Sequence, residues 1–319
     1  MIKVSTIALV SLIISCSSSR DKSSPLIAKT VLPKELKEIS GVTAVGENVW
    51  AITDKPKARV FKLDANGKLL QTVNVANTEA TDVEAVTSDS SFIYIADVGD
   101  NVGDRTDRKI IKISSANIPE GNEVQVPGEV IDFTFPGGGE AEKKKQNNFD
   151  CESILSFKDS LYLFTKDRED NETRLYVIPK TPGKWEARFI SSFNSKGLIT
   201  DATINEQNTE VALIGYHKGH VYPFIFLFSE FEGNDFFSGE HTKIDLADKS
   251  WDWQLEGITY NNKNQVFFIC EGTKEVPATF YGISRKDIFK LQKKKDKKSD
   301  KDQDNEDDRQ LSKKGHLKM

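Results

Sequence analysis

Short apolar runs separated by polar turns recur along the middle of the chain and predict β-strands rather than helices. Five of these runs open with an acidic or hydroxyl residue followed by a small residue, and in four of them the next residue is apolar. Their starts lie 44, 68, 49 and 55 residues apart, and no amphipathic helical pattern separates them. The five runs cover residues 40–43, 84–87, 152–155, 201–204 and 256–259.

Further strand-like runs follow each of these segments and complete a repeat. A second and a third run occur in all five repeats, and a fourth run occurs in the first four. Four short strands recurring at intervals of about 50 residues are the signature of a β-propeller. We therefore predict an all-β fold with five blades, or six if the long second repeat contains another. The run at 26–32 is expected to close the ring by pairing with the last repeat.

The N-terminal residues predict export and a lipid anchor. Lys3 precedes a mostly apolar run, Val4–Ile14, which is too short to span a bilayer and fits a signal peptide. The order Ile13-Ile14-Ser15-Cys16 resembles a bacterial lipobox, in which the cysteine is acylated. We predict a lipoprotein signal peptide over 1–15 and anchoring of the chain through Cys16. An ordinary secretory signal is the alternative.

The remaining boundaries follow from composition. Residues 16–25 are polar and predict a flexible tether, and 26–289 form the propeller domain. Residues 290–319 are almost all charged or polar, which predicts a disordered tail. The expected location is the bacterial cell envelope, on the periplasmic or outer-membrane face, with the membrane as a partner.

Overall charge and composition exclude several classes of function. The 319 residues carry 44 Lys+Arg against 49 Asp+Glu, a net charge of −5, so no nucleic-acid partner is expected. A charged fraction of 29% argues against a protein that crosses the membrane many times, and three cysteines cannot form a dense disulfide framework.

Carboxylates recur at the same place in the repeat and predict a cation site. The first strand of a propeller blade lines the central channel, and residues two apart on a strand face the same side. Like charges confined there repel each other unless protons or cations intervene, and Ca²⁺ takes six to eight oxygen ligands. The predicted metal ligands are Glu84, Glu152, Asp201, Glu256, Asp82 and Asp150. The alternative is an acidic, water-filled channel without metal, in which lysine and arginine supply part of the neutralising charge.

A second group of residues predicts ligand binding at the same rim, where the second strands end. The loop from Asp97 to Arg105 is the densest acid-glycine segment of the chain, and Lys166 ends the corresponding strand of the third repeat. The predicted ligand-binding residues are Lys166, Asp97, Asp100 and Asn101. The alternatives are a structural salt bridge for Lys166 and a capped surface loop for the acid-glycine segment.

Four segments resemble a set of secreted bacterial propellers. They are Asp82–Ala85, Tyr94–Asn101, Asp150–Ser153 and Leu163–Asp167. These propellers are similar to the phytase-like (esterase-like) and SdiA-regulated propeller families, and the resemblance implies a propeller fold and, in some members, Ca²⁺. We expect a cation and a ligand to bind at the acidic channel mouth. The alternative is a calcium-dependent hydrolase of a phosphate ester or lactone, in which Lys166 stabilises developing negative charge.

Overall fold

The computed structural model describes residues 28–137, 147–217, 221–246, 254–261 and 263–292. The predicted signal peptide, Cys16, the tether and most of the charged tail lie outside these residues. Strands dominate the described part, and its helical elements are short 3₁₀ turns. None of the helices in these ranges is long and apolar enough to cross a bilayer.

The described strands form five separate sheets. The strand that closes the ring is β1 (Ala28–Val31). The first blade contains β2 (Ile39–Val45), β3 (Asn48–Thr53), β4 (Arg59–Leu63) and β5 (Leu69–Ala76). The second contains β6 (Val83–Ser88), β7 (Phe92–Asp97), β8 (Lys109–Ser114) and β10 (Glu129–Thr134), with β9 (Glu123–Pro127) lying between the last two in sequence.

The remaining three blades follow the same order. The third contains β11 (Cys151–Phe157), β12 (Ser160–Thr165), β13 (Thr173–Pro179) and β15 (Arg188–Phe193), with β14 (Gly183–Glu186) preceding the last. The fourth contains β16 (Leu198–Ile204), β17 (Glu210–His217), β18 (Val221–Ser229) and β19 (Glu240–Asp245). The fifth contains β20 (Leu255–Tyr260), β21 (Gln265–Cys270) and β22 (Thr279–Ser284).

The innermost strands of the five sheets form a closed ring, which confirms the predicted five-bladed propeller. β2 packs against β6, β6 against β11, β11 against β16, β16 against β20, and β20 returns to β2. Apolar side chains fill the spaces between adjacent blades, as where Phe267 and Phe280 of the fifth blade pack with Leu63 of the first. Both faces of the inner strands are therefore covered, which explains their nearly continuous burial.

The N-terminal strand closes the ring, as the sequence predicts. β1 pairs antiparallel with β22, from Ala28 opposite Gly282 to Val31 opposite Thr279. It thereby supplies the fourth strand that the last repeat lacks. Pairing the two ends of the domain removes an open sheet edge, which is otherwise exposed to aggregation.

Two strands that the repeat does not predict join adjacent blades. β9 leaves the second blade and pairs parallel with β5 of the first, while β14 leaves the third blade and pairs parallel with β10 of the second. In both cases, the connection between the third and fourth strands of a blade reaches back to the outer edge of the preceding blade. These contacts cover two outer edges and add a second seam between blades.

The register of the strands defines two faces of the ring. The mouth face contains the starts of the innermost strands and the ends of the second strands, and the opposite face contains the turns between these two strands. β22 runs from the mouth face to the opposite face, and the 3₁₀ segment Arg285–Leu291 returns toward the mouth. There Gln292 forms a β-bridge with Leu246. The described chain therefore ends on the mouth face.

Candidate functional site

A β-bulge interrupts each innermost strand where the strand reaches the mouth face. Pairing with the second strand skips one residue in every blade, and such a bulge redirects the side chain that it carries. The skipped residues are Ser40, Glu84, Glu152, Thr200 and Glu256. Three of them are carboxylates that line a common cavity.

Asp201 lies one position away from the column in which the repeat predicts it. Thr200 occupies the bulge instead, and its hydroxyl donates to the Leu255 carbonyl at 2.7 Å. The buried Asp201 carboxylate accepts hydrogen bonds from the backbone N–H groups of Ile258, at 2.9 Å, and Ala202, at 2.8 Å. Asp201 thus connects β16 to β20 and does not line the cavity. The predicted register was wrong by one residue here, and a one-residue shift moves a side chain to the other face of its strand.

The cavity at the mouth has a volume of about 190 Å³. This is room for several water molecules, or for an ion together with one small group. Two basic residues, Lys166 and Arg168, line it as well. The lining carboxylates are Glu38, Asp54, Glu84, Glu152, Glu256 and Glu271.

Three carboxylates converge at the mouth, and two of them, Asp54 and Glu84, line this cavity. Oxygen atoms of Asp54, Asp82 and Glu84 all lie within 4.8 Å of one another. Glu84 is 7% exposed, and its carboxylate has no hydrogen bond or ion pair among the described residues. Asp82 and Glu84 belong to the predicted metal set, whereas Asp54 comes from the end of the second strand. We call these three residues the acidic trio.

Gly99 lies directly against the acidic trio. A Cβ at this position would collide with the Asp82 carboxylate and lie 2.7 Å from Cγ of Glu84. The backbone N–H of Gly99 donates to the Asp82 carbonyl at 3.2 Å, so the loop rests on the strand that carries the trio. A residue without a side chain is required for this close approach.

The other predicted metal ligands have basic or phenolic partners. Lys166 donates to the Glu152 carboxylate and, at 2.9 Å, to the Tyr216 hydroxyl, which is hydrogen-bonded to Glu256. Arg168 donates to Asp150 at 2.6 Å and to Glu152 at 3.1 Å. Residues for both the salt bridge and the cation site that the sequence predicts are thus present at this rim.

Burial and mutual repulsion shift the pKa values of the mouth carboxyls upward. Burial, with the charges of Asp54 and Asp150, raises the pKa of Asp82 to about 7. Burial outweighs the attraction of Lys166 and raises the pKa of Glu152 to about 7 and that of Glu256 to about 8. Burial also raises the pKa of Asp54, whose carboxyl shares a hydrogen bond with Asp82. Without a cation, several of these groups therefore hold protons near neutral pH.

The acid-glycine loop packs against the site and contributes one side chain to the cavity. Asp97 accepts from the backbone N–H groups of Thr81 and Asp82 and pairs with Arg105 at 2.9 Å. Asp100 is buried and pairs with Arg108. Asn101 lines the cavity and accepts a hydrogen bond from Arg168. Of the predicted ligand-binding residues, Lys166 and Asn101 thus reach the cavity, while Asp97 and Asp100 shape the loop.

Comparisons with known proteins identify no relative by sequence. No protein-family model matches the chain, and no curated protein matches it. Solved structures that are similar in fold include an exo-β-1,3-galactanase from Phanerochaete chrysosporium, at 13% identity and a TM-score of 0.48, covering 76% of this chain and 59% of that one. A putative 6-phosphogluconolactonase from Bacteroides uniformis matches at 13% identity and a TM-score of 0.38, covering 75% and 66%.

A third solved structure, a lignostilbene dioxygenase from Pseudomonas brassicacearum, has 8% identity, a TM-score of 0.37 and coverage of 81% and 63%. The chain spans less than two thirds of the length of each of these three proteins. At such identities the similarity concerns the fold alone and says nothing about substrate or activity.

Proposed function

We propose that this chain is a cation-dependent binding protein whose ligand site is the cavity at the mouth of the propeller. The observation that carries the proposal is the acidic trio, in which a buried Glu84 without a partner lies beside two further carboxylates. A buried carboxylate without a partner is costly in free energy, and a bound cation removes that cost.

The chemistry of the trio suits calcium. Calcium binds oxygen ligands at about 2.3–2.6 Å, so ligands on opposite sides of the ion lie about 5 Å apart. The oxygens of Asp54, Asp82 and Glu84 lie within 4.8 Å of one another. Water and ligand oxygens would complete the coordination. Because some of these carboxyls hold protons near neutral pH, cation binding is expected to release protons.

Basic and amide side chains in the same cavity suit an anionic group. Lys166, Arg168 and Asn101 line the cavity together with Asp54 and Glu84. A carboxylate or phosphate group bound there would contact both the cation and these donors. The small volume limits the ligand to one such group inside the cavity, with the rest of the molecule outside.

The location of the protein is part of the proposal. Acylation of Cys16 would anchor the chain to a membrane of the bacterial cell envelope, with two or more acyl chains giving stable attachment. Incorporation of a labelled fatty acid into the full-length protein, and its loss in Cys16→Ser, would support this anchor. Labelling that persists in Cys16→Ser would contradict it.

Calcium titration of the purified protein tests the cation site. We expect calcium at 100 times its Kd to stabilise the wild-type protein by about 2.7 kcal/mol, seen as a melting temperature several degrees higher. Glu84→Gln should lose most of this shift. Glu206→Gln, a change of an exposed carboxylate on the opposite face, serves as the matched control and should retain it. An unchanged melting temperature in the wild type would exclude the proposed site.

A calcium-dependent hydrolase is the second candidate. The observation that favours it is the position of Lys166 and Tyr216, whose side chains line the same cavity as the acidic trio. Lys166 would stabilise negative charge that develops on a phosphate ester or lactone, and the cation would polarise the same group. A screen of phosphate esters and lactones with wild type and Glu84→Gln separates the two functions. If the wild-type protein turns over no substrate faster than Glu84→Gln does, the hydrolase is refuted and the binding function remains.

A further inference from the structure

The described chain ends on the mouth face, at the outer edge of the fourth blade, because of the way in which the last blade is closed. The 3₁₀ segment Arg285–Leu291 begins on the opposite face, where Arg285 pairs with Glu210. It ends on the mouth face, where the bridge between Gln292 and Leu246 fixes its position. Leu246 is itself held by its backbone N–H, which donates to the Pro223 carbonyl at 3.0 Å.

The residues that follow Gln292 are strongly basic. Residues 293–298 read Lys-Lys-Lys-Asp-Lys-Lys, with five lysines and one aspartate. The next block, 300–308, is acidic, so positive charge is concentrated in the six residues nearest the domain. An extended chain spans about 3.3 Å per residue, so six residues reach about 20 Å from Gln292. We call residues 293–298 the basic segment.

The mouth presents negative charge that the described residues do not balance. Glu38 is paired with Lys55, and Glu152 with Lys166 and Arg168. Asp54 forms no ion pair with a described residue, and Glu84 is buried without a hydrogen bond or ion pair to one. Glu271 accepts a hydrogen bond from the neutral Gln254 amide at 3.0 Å and forms no ion pair with a described residue. These three carboxyl groups are therefore open to a basic partner from outside the described residues.

We propose that the basic segment docks on the mouth and places a lysine ammonium group beside the acidic trio, where it competes with the metal cation. The charge complementarity and the exit of the chain on the mouth face carry this inference. Because the segment is covalently attached, its effective concentration at the mouth is in the millimolar range. Regulation of cation binding rests on the proposed function, whereas the docking itself does not.

Zero-length carbodiimide cross-linking of the full chain tests the docking directly. We expect amide cross-links from lysines of the basic segment to Glu38, Asp54 or Glu271, identified by mass spectrometry. They should fall several-fold at 1 M salt, where the Debye length is about 3 Å. Lysines 301, 313, 314 and 318 are the internal control, because they lie farther along the same tail. Cross-links to the mouth that are no more frequent from the basic segment than from these control lysines would overturn the proposal.

Calcium titration of two tail variants tests the competition. Changing the five lysines of the basic segment to Gln should tighten calcium binding by about threefold to tenfold, since the internal competitor is removed. Changing the four control lysines to Gln should leave the affinity within about twofold of wild type, as expected for residues outside the site.

The two experiments separate the docking from the cation site. Cross-links to the mouth in a protein that binds no calcium would support the docking and refute the proposed function. Calcium binding with equal affinity in wild type and the five-lysine variant, without cross-links, would refute the docking and leave the cation site intact.

Discussion

Replacing Lys166 by Met tests whether the buried ion pair at the mouth stabilises the native state. The side chains of Lys166 and Glu152 are 4% and 6% exposed, and each is the other's partner. Methionine retains most of the length of the lysine side chain but removes its charge. Glu152 would then keep only the contact to Arg168 at 3.1 Å.

The magnitude follows from what remains buried. Removing one member of a buried ion pair costs about 3–5 kcal/mol, because it leaves an uncompensated charge. Since Arg168 still contacts Glu152, we expect about 3 kcal/mol for Lys166→Met, at the lower end of this range. The double variant Lys166→Met with Glu152→Gln buries no unpaired carboxylate and should cost only about 1–2 kcal/mol.

Urea unfolding at pH 8 and pH 5.5, in the presence of EDTA, measures these free energies. The pKa of Glu152 is raised to about 7 already in the wild type, and loss of Lys166 should raise it further. Glu152 is then protonated at pH 5.5, so the penalty of the single variant should shrink at that pH. A cost below about 1 kcal/mol at pH 8, or a double variant as unstable as the sum of the two single variants, would refute this reasoning.

Two further predictions follow from the mouth. The raised pKa values of Asp82, Glu152 and Glu256, about 7, 7 and 8, mean that the folded protein binds more protons than the unfolded chain between roughly pH 4 and 8. Without divalent cations, the free energy of unfolding should therefore fall from pH 5 to pH 8, and it should recover when calcium is added. A free energy from urea titrations that stays constant or rises over this pH range would contradict the prediction. Asp201→Ala should destabilise the fold by about 3 kcal/mol, because two buried backbone N–H groups lose their acceptor. The calcium affinity of this variant should stay within about twofold of wild type. A large loss of calcium affinity in a folded Asp201→Ala protein would mean that Asp201 belongs to the cation site.

The blade repeat could be predicted from the sequence because four-strand units recur with a regular apolar pattern. The closing strand could be predicted as well, since the last repeat lacks a fourth strand and the segment before the first repeat has no other partner. β9 and β14 could not, because their parallel partners lie in other blades. No local pattern in the sequence marks which distant edge a short strand will join.

The position of the acidic residues was predictable only to within one residue. Alignment of the repeats matches Asp201 with Glu84, Glu152 and Glu256, although the bulge places Thr200 there. Bulges add a residue that simple alternation does not anticipate. Asp54 directly follows the second strand of the first blade, and its approach to Asp82 and Glu84 depends on how adjacent blades pack. The same holds for Gly99, whose contact with Asp82 follows from the path of the loop.

The closing strand also determines how the molecule would respond to a mechanical load. β1 runs from the opposite face toward the mouth and is held to β22 by only four paired residues. If Cys16 is acylated as proposed, tension in the tether acts on β1 directly, along the axis of the strand and away from the mouth. The acidic opening would then point to the aqueous phase, and the seam between β1 and β22 would carry the load.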